Sequence, residues 1–524
     1  MSRQNVYGIG QICKFVHVLN KKKDDEQGVF MKHKAFLNVL TGVVGQVVIL
    51  VLGFVIPRLM IHGYGSDTNG LLSTITQIFT YMALLEAGIG QAARNALYKP
   101  IVEGDRDRIS YISSVAQAYF RRISIYYFMG VIILALVLPR LLKSNVDPLT
   151  ISLITLLQGM SGVISFYFIQ TKSVMLVADG KGYIYNGINV LARACSYLFQ
   201  ILFAIKGLNI VFVQVSFLII TIIKVLCYRL YFRSNYSWLN SNLPVEGEKL
   251  NDRNAYIVTE IAWTMFSSTD LIVLSVFVDT RLSSIYSVYS MVYSGINAMV
   301  NAVYSNLIYL LGQYYHRDRD AYMKLHDAFN SIFFGGMTSL MSVTYLLIIP
   351  FIKLYTEGAD INYVYNSLPL MFCLVQIISW SRYISGNLTC IAGYAKPVSV
   401  ISLIEAITNI VLSIILVRKF GINGVLFATV IALPIKVIYC TYITEKIILG
   451  RSIWNSMKIL LLNYCLFGAL VLLSKYISIH VNSAFSFIVH GAVLTLFIGS
   501  IGLIANCLVN PSLFEYIKQI RKRI

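Results

Sequence analysis

The chain has 524 residues, of which 57% are hydrophobic and 13% are charged, and its mean hydropathy is +0.69. Soluble globular domains carry about 25% charged and about 45–50% apolar residues, so this composition excludes a soluble enzyme, a disordered chain and a disulfide-rich scaffold. The formal net charge of +19 does not indicate a nucleic-acid partner, because cytoplasmic loops of membrane proteins collect Lys and Arg, and we expect an integral membrane protein.

The N-terminal segment, residues 1–35, lacks a continuous apolar stretch and a small-residue cleavage site, so no cleavable signal peptide is predicted. A basic helix on the membrane surface and a frayed cytoplasmic tail are its two open interpretations. Apolar stretches of roughly 20 residues, enough to cross about 30 Å of hydrocarbon, then recur along the chain. Because lipid-exposed strands would leave backbone groups unpaired, we predict a helix at each of fourteen places: 36–59, 71–97, 119–142, 149–176, 183–205, 209–232, 254–278, 283–311, 328–352, 364–391, 397–417, 422–445, 455–476 and 483–509.

The loops between these spans carry most of the charge. With a cytoplasmic N-terminus, the inner loops and tails hold roughly three times as many Lys and Arg residues as the outer loops. This bias predicts that both termini are cytoplasmic and that the number of spans is even.

The sequence repeats itself with an offset close to the 212 residues that separate Lys224 from Lys436. The other matching pairs are GDRDR at 104–108 with HRDRD at 316–320, KGY at 181–183 with AGY at 392–394, and Gly207-Leu208-Asn209 with Gly421-Ile422-Asn423. Six spans per repeat preserve orientation, so the halves are parallel repeats, which in transporters enclose the substrate. The predicted plan is a cytoplasmic segment 1–35, an N-lobe 36–232, a cytoplasmic linker 233–253, a C-lobe 254–448, two further spans within 449–510 and a basic cytoplasmic tail 511–524.

Several ionisable residues lie within the predicted spans, where a charge costs at least about 2.5 kcal/mol and usually faces a cavity. The basic set is Arg58, Arg94, Arg193, Lys224, Arg382 and Lys436, and the acidic set is Glu86, Glu260, Asp270 and Glu405. A cavity lined by more cations than carboxylates attracts an anion, and Arg suits phosphate because its planar fork binds two oxygens. The basic set is therefore the predicted substrate-binding set.

Two alternatives compete with the prediction that the basic set binds the substrate. Arg58, Arg94 and Lys436 lie near span ends and could snorkel to the interface instead, whereas Arg193 and Lys224 lie deeper. A pair between Arg193 and Glu405, which are 212 residues apart, would cancel charge across the lobes.

Glu405 and Asn409 are four residues apart and share one helical face. Their oxygens could hold a proton or a small hard cation, and a helix–helix hydrogen bond is the simpler alternative. Asn297, Asn301 and Ser305 form a similar polar stripe in the eighth span, for which interhelical packing is expected.

The sequence does not predict an enzyme or a bound cofactor. GIGQAA at 88–93 resembles a phosphate loop but lies within a predicted membrane helix and follows no strand, and the histidines show no HExxH spacing. The longest loop, 233–253, is predicted to be cytoplasmic and carries no acidic motif.

The stretch PRLMIHGYGSDTNGLLSTITQIFTYMALLEAGIGQAARNALYKPIVEGD, residues 57–105, resembles the first-to-second-span region of bacterial polysaccharide transporters. These are lipid-linked oligosaccharide flippases of the multidrug/oligosaccharidyl-lipid/polysaccharide (MOP) exporter superfamily. The resemblance includes Pro57-Arg58, Tyr64-Gly65, Asn69-Gly70 and Glu86-x-Gly88-x-Gly90, and the plan of six, six and two spans extends it along the chain.

The resemblance implies a protein of the bacterial cytoplasmic (inner) membrane. It would move an undecaprenyl-pyrophosphate-linked oligosaccharide from the inner to the outer leaflet by alternating access, for capsule, exopolysaccharide or O-antigen synthesis. Membrane lipid and this glycan are then its partners, and a polysaccharide polymerase and glycosyltransferases are candidate partners. The drive would be a gradient of Na⁺ or H⁺, with Asp270, Glu405, Asn409 and Thr429 as the ion-coupling candidates implied by related lipid II flippases.

Two other functions stay open at this point. A cation-coupled multidrug antiporter of the same superfamily typically needs twelve spans and an acidic cavity. An accessory protein of polysaccharide assembly, without transport of its own, is the alternative from another class.

Overall fold

The computed structural model describes residues 45, 48, 51–86, 89–241, 243–244, 269–476 and 483–514. Every regular element within these ranges is a helix, which confirms the all-α fold class. Ten of the described helical segments are long and apolar enough to cross a bilayer, so the chain is a multi-pass membrane protein. The predicted count of fourteen also includes 254–268 and most of 36–50, which lie outside the described residues.

Helices of the first half run in chain order as α1 (51–82), α2 (Ile89–Glu103), α3 (Arg106–Leu141), α4 (Pro148–Phe168), α5 (Gln170–Ala178), α6 (Gly182–Ile205) and α7 (Ile210–Asn235). Gly65, within α1, has a φ of +84°, which a right-handed helix cannot accommodate. The first two predicted spans therefore meet at this residue, and the second, 71–97, is itself divided by a 3₁₀ turn at Ala83–Glu86.

Helices of the second half are α8 (269–277), α9 (Thr280–Arg317), α10 (Arg319–Tyr355), α11 (Leu368–Trp380), α12 (Tyr383–Ile391), α13 (Ala395–Phe420) and α14 (Ile422–Tyr442), with a π-helical turn at Ile443–Ile448. The two C-terminal helices are α15 (Trp454–Leu473) and α16 (Ala484–Val509).

One predicted span in each half is broken in two. Residues 149–176 form α4 and α5, separated at Ile169, and residues 364–391 form α11 and α12, separated at Ser381 and Arg382. Non-helical backbone at membrane depth is tolerated where it is buried in protein or lines a cavity. Both breaks place a polar side chain, Gln170 or Arg382, at the start of the second segment.

The internal repeat is visible in the local geometry of the two halves. Asp105 and Asp318 cap α3 and α10, and each carboxylate accepts a backbone N–H of the first turn. The turns that precede α6 and α13 correspond at Gly180 and Gly393, which both have positive φ. The match of KGY with AGY is therefore shifted by two residues in the structure.

Buried side chains form two hydrophobic clusters, one drawn from residues 56–236 and the other from residues 273–467 together with Ile61. The C-terminal helices attach to the second half through α10. Asn463 and Asn506 exchange two hydrogen bonds of 2.9 and 3.1 Å between α15 and α16, and Asn510 donates to the carbonyl of Asp327 on α10 at 2.7 Å.

Candidate functional site

A cavity of about 610 Å³ lies between the two halves, within the range of about 300–1,000 Å³ typical of small-ligand sites. The first half lines it with α1, α4, α6 and α7, and the second half contributes residues of α8 and α9. The polar and aromatic-hydroxyl lining comprises Asn69, Ser73, Thr76, Gln77, Gln158, Ser161, Arg193, Tyr197, Gln200, Gln214, Ser287 and Ser290.

Arg193 is the one charged residue in the described lining of this cavity. Lys224, half-buried on the neighbouring α7, lies within electrostatic range of it. Neither α6 nor α7 contains an acidic residue. The two cations therefore repel each other without a carboxylate on their own helices, and an anion between them would relieve that repulsion.

Of the six predicted cations, Arg193 lies in the described lining of this cavity and the other five lie outside it. Arg58 is exposed on α1, where its backbone N–H donates to the Tyr355 hydroxyl at 3.0 Å. Arg94 lies half-buried on α2 and acts electrostatically on Glu86, whose carboxylate accepts a hydrogen bond from Gln170. Glu260 lies outside the described residues.

Arg382, Glu405 and Lys436 form a separate charge group inside the second half. Arg382 donates to the Glu405 carboxylate, and both side chains are almost completely buried. Lys436 of α14 is half-buried and within electrostatic range of both. The alternative pairing of Arg193 with Glu405 is wrong, because the break between α11 and α12 brings Arg382 to this carboxylate within the same half.

The ion-coupling candidates are distributed over three contacts. The Asn409 amide donates to the Thr429 hydroxyl at 2.8 Å, which is the helix–helix hydrogen bond considered above. Asp270 accepts from the Tyr286 hydroxyl at 2.6 Å, and Glu405 pairs with Arg382. Buried acceptors without a hydrogen bond remain on Asn409 (Oδ1) and Asp270 (Oδ1), so oxygen ligands for a small hard cation are present at both places.

The two halves close against each other at one end of the bundle, which we call the closed end and define by residues 65–67, 143–147, 278–280 and 356–367. A loop of the first half holds the second half there: Lys143 exchanges backbone hydrogen bonds of 3.1 Å with Ser275 and Thr280, and its ammonium donates to the Phe277 carbonyl at 2.8 Å.

A loop of the second half holds the first half in return. Asp360 accepts hydrogen bonds from the backbone N–H and hydroxyl of Ser66, and Tyr363 donates to the Ser66 hydroxyl at 2.6 Å. Between the two loops, Asp67 accepts from Thr280. Asn69, which also lines the cavity, donates to Ser284 at 2.7 Å, so the closed end adjoins the cavity.

Close packing at this end depends on Gly70. A Cβ atom at Gly70 would lie 1.8 Å from the Thr280 carbonyl oxygen and 2.9 Å from the Ser284 nitrogen. Both neighbours are backbone atoms of α9, so no side chain can move aside. Glycine at this position permits the direct approach of α1 to α9.

A third polar group, at the other end of α10, contains metal-ligand side chains. His326, Asp327 and Glu445 lie within reach of one ion, but the Arg451 guanidinium donates to Asp327 at 2.9 Å and to Glu445 at 2.6 Å. The guanidinium already neutralises these carboxylates, so the group ties α10 to the π-helical turn and to the segment before α15.

Sequence reasoning missed the uncharged members of these sites. Gln200 and Gln214 did not stand out, because a neutral amide in an apolar span carries no charge signal. Asp67 and Asp360 fall between predicted spans, where a carboxylate carries no distinct signal. The polar run YGSDTN at 64–69 was a usable sign of the closed end, since loops that carry several short polar side chains hydrogen-bond readily.

The polar stripe predicted on α9 makes an interhelical hydrogen bond at Asn297. Asn297 accepts a hydrogen bond of 2.8 Å from the indole N–H of Trp380 on α11. Interhelical packing is thus confirmed for Asn297.

Comparison with solved structures identifies the fold. A lipid II flippase, MurJ, in an inward closed conformation aligns with a TM-score of 0.61 and 16% identity over 89% of this chain and 98% of that one. An inward-facing multidrug-resistance MATE family transporter of the MOP superfamily aligns with a TM-score of 0.62 and 11% identity over 80% and 95%. The MATE multidrug transporter DinF-BH, solved as a complex, gives 0.58 and 14% over 80% and 97%.

No protein-family model and no curated protein sequence matches the chain. The structural comparisons show that the chain has the fold of these transporters. A fold does not specify a function, so any function must be argued from the residues of this chain.

Proposed function

We propose that the chain is a flippase that moves an undecaprenyl-pyrophosphate-linked oligosaccharide from the inner to the outer leaflet by alternating access. The observation that carries this proposal is Arg193 in a cavity whose described lining has no carboxylate, with Lys224 near it on α7. A pyrophosphate diester is doubly charged, and two convergent cations replace part of the hydration that it loses on entering the cavity. The products would serve capsule, exopolysaccharide or O-antigen synthesis.

The sign of the charge separates this proposal from drug export. A cavity that selects cationic drugs needs carboxylates, and its cations would repel such ligands. Solved structures with this fold include both a lipid II flippase and multidrug transporters, so the fold alone does not choose between them. The charge near α6 and α7 favours the lipid-linked anion.

The closed end supports an alternating-access cycle. Reciprocal contacts beside the cavity join the halves through hydrogen bonds, and such contacts can exchange with water when the halves separate. We assign the closed end to the outside of the bacterial cytoplasmic membrane and both termini to the cytoplasm, following the charge bias of the loops. The lobes of the cycle are 36–232 and 254–448.

Coupling to Na⁺ or H⁺ would act through Asp270, Glu405, Asn409 and Thr429. The free acceptors on Asp270 and Asn409 are suitable oxygen ligands, while Glu405 already has a cationic partner in Arg382. A polymerase and glycosyltransferases that make and use the glycan are the expected protein partners.

The central experiment measures flipping by the purified protein in proteoliposomes. The substrate is the lipid-linked glycan extracted from a strain in which the gene is deleted, and the readout is its access to a glycosidase or lectin outside the vesicle. A charge-assisted hydrogen bond contributes roughly 1.5–3 kcal/mol, which corresponds to about tenfold to a hundredfold. Arg193→Gln should therefore slow flipping by that factor, and Arg193→Lys should keep more of it.

Arg58→Gln is the matched control, because it removes an exposed cation that lies outside the described cavity lining and should leave the rate unchanged. If the purified protein flips no lipid and the deletion strain still makes its surface glycan, the flippase proposal is refuted and an accessory role is favoured. Increased drug susceptibility of the deletion strain with normal surface glycan would instead support the antiporter.

A further inference from the structure

The cavity contains two buried amides that the protein itself leaves unpartnered. Gln200 on α6 is 5% exposed and Gln214 on α7 is 4% exposed, and both line the cavity. Within the described part of the chain neither side chain forms a hydrogen bond. Their amide atoms are accessible from the cavity, so water or a ligand that fills the cavity can hydrogen-bond with them.

A third amide adds to this set from α4. The Gln158 nitrogen donates to Thr76 at 2.9 Å, while its oxygen is buried and accepts no hydrogen bond. The corresponding helices of the second half, α13 and α14, contain no glutamine. The amides are thus a property of the first half and do not follow from the shared architecture.

The amides and the cations lie at two levels of the same helix pair. α6 and α7 are joined by a short turn, residues 206–209, so residues equally far from it lie side by side. Gln200 and Gln214 are five and four residues from the ends of their helices, whereas Arg193 and Lys224 are twelve and fourteen. At 1.5 Å per residue, the cations lie about 10–15 Å farther from the turn.

An aromatic side chain lies between the two levels. Arg193, Tyr197 and Gln200 recur at i, i+4 and i+7 along α6 and therefore share one face of the helix. Tyr197 lines the cavity with Phe217 of α7. The face of α6 thus presents, in order, a cation, a ring and an amide.

We propose that Gln200 and Gln214 bind the hydroxyl groups of the first sugars of the lipid-linked glycan, with Tyr197 against the apolar face of a sugar ring. This inference rests on the proposed flippase function. An amide offers both an acceptor and two donors, which matches a hydroxyl that donates and accepts. A purely apolar ligand would leave the amides unpaired, and an amino sugar with a free ammonium would find no carboxylate in the described lining of the cavity. The site is therefore specific for uncharged or acidic sugars.

The test compares two probes on the purified full-length protein: undecaprenyl pyrophosphate without sugar, and the lipid-linked glycan extracted from the deletion strain. The Gln200→Leu and Gln214→Leu variants should each bind the glycan lipid about tenfold more weakly than the unmodified protein does, because each loses two or three hydrogen bonds. Their affinity for undecaprenyl pyrophosphate should be unchanged. Arg193→Gln should weaken the binding of both probes.

Thermal unfolding separates binding from a structural role. Replacing an unpartnered buried amide with leucine should leave the melting temperature unchanged or raise it, and Gln200→Asn, which keeps an amide, should retain part of the glycan affinity. A lower melting temperature in both leucine variants, or equal losses for the two probes, would overturn the sugar-binding role. If the unmodified protein binds neither probe, the flippase proposal itself fails, and this inference fails with it.

Discussion

The two halves of the molecule share an architecture but treat their intramembrane charge in opposite ways. In the first half, Arg193 and Lys224 lie on α6 and α7 beside the cavity, and neither helix has an acidic residue. In the second half, the corresponding helices α13 and α14 carry Glu405 and Lys436, and Glu405 is paired with Arg382.

A single carboxylate accounts for much of this difference. Glu405 has an arginine partner within its own half, so its charge is satisfied without a ligand. On the helix beside Arg193, the charged neighbour is another cation, so the charge of Arg193 is available to a ligand. With the same order of helices, one half can therefore leave a cation open to a ligand while the other pairs its carboxylate internally.

The comparison requires that the halves close on each other, and the largest expected effect is on that closure. Gly70→Val would place a branched side chain where a Cβ atom already lies 1.8 Å from the Thr280 carbonyl oxygen, so the closed end should not form. Spin labels at Leu149→Cys and Asn366→Cys, which lie in different halves near the closed end, should move apart by several ångströms in double electron–electron resonance.

Gly53→Val is the control for this measurement, because nothing lies within 4 Å of a Cβ atom at Gly53. Labels that keep the same distance in Gly70→Val and Gly53→Val would show that the contact between α1 and α9 does not decide closure.

The next effect tests the internal pairing of the second half. Glu405→Gln leaves Arg382 buried without its carboxylate, which should lower the free energy of unfolding by about 3–5 kcal/mol. The double variant Arg382→Met with Glu405→Leu should recover most of that loss, because it removes both buried charges. Thermal or denaturant unfolding in detergent measures both effects.

Arg193→Gln on the corresponding helix of the first half is the matched variant for stability. It removes a charge that has no carboxylate on its own helix or on α7, so its unfolding midpoint should match that of the unmodified protein. An equal loss of stability in Glu405→Gln and Arg193→Gln would remove the contrast between the halves.

Sequence patterns predicted the fold class because hydropathy reports burial in lipid directly. They also placed Arg193, Lys224 and Glu405 within spans, since a charge stands out in an apolar segment. They did not predict the partner of Glu405, because the contact with Arg382 depends on where the predicted span 364–391 breaks into α11 and α12. They overlooked Gln200 and Gln214 for the opposite reason: neutral amides change hydropathy little, and only the cavity shows that they lack partners.

The smallest effect concerns the hydrogen bond between Asn409 and Thr429, which distinguishes a packing contact from an ion site. Thr429→Val leaves the buried Asn409 amide without its acceptor and should lower the free energy of unfolding by about 1–3 kcal/mol. Adding Asn409→Leu should restore most of the lost free energy, because both polar partners are then gone.

If Asn409 also binds Na⁺, sodium chloride should raise the melting temperature of the unmodified protein more than choline chloride does, since a ligand that binds only the folded state stabilises it. That sodium-specific increase should disappear in Asn409→Leu with Thr429→Val. Equal responses to the two salts in the unmodified protein would leave the pair as a helix–helix contact and would move the search for the coupling ion to the free Asp270 oxygen.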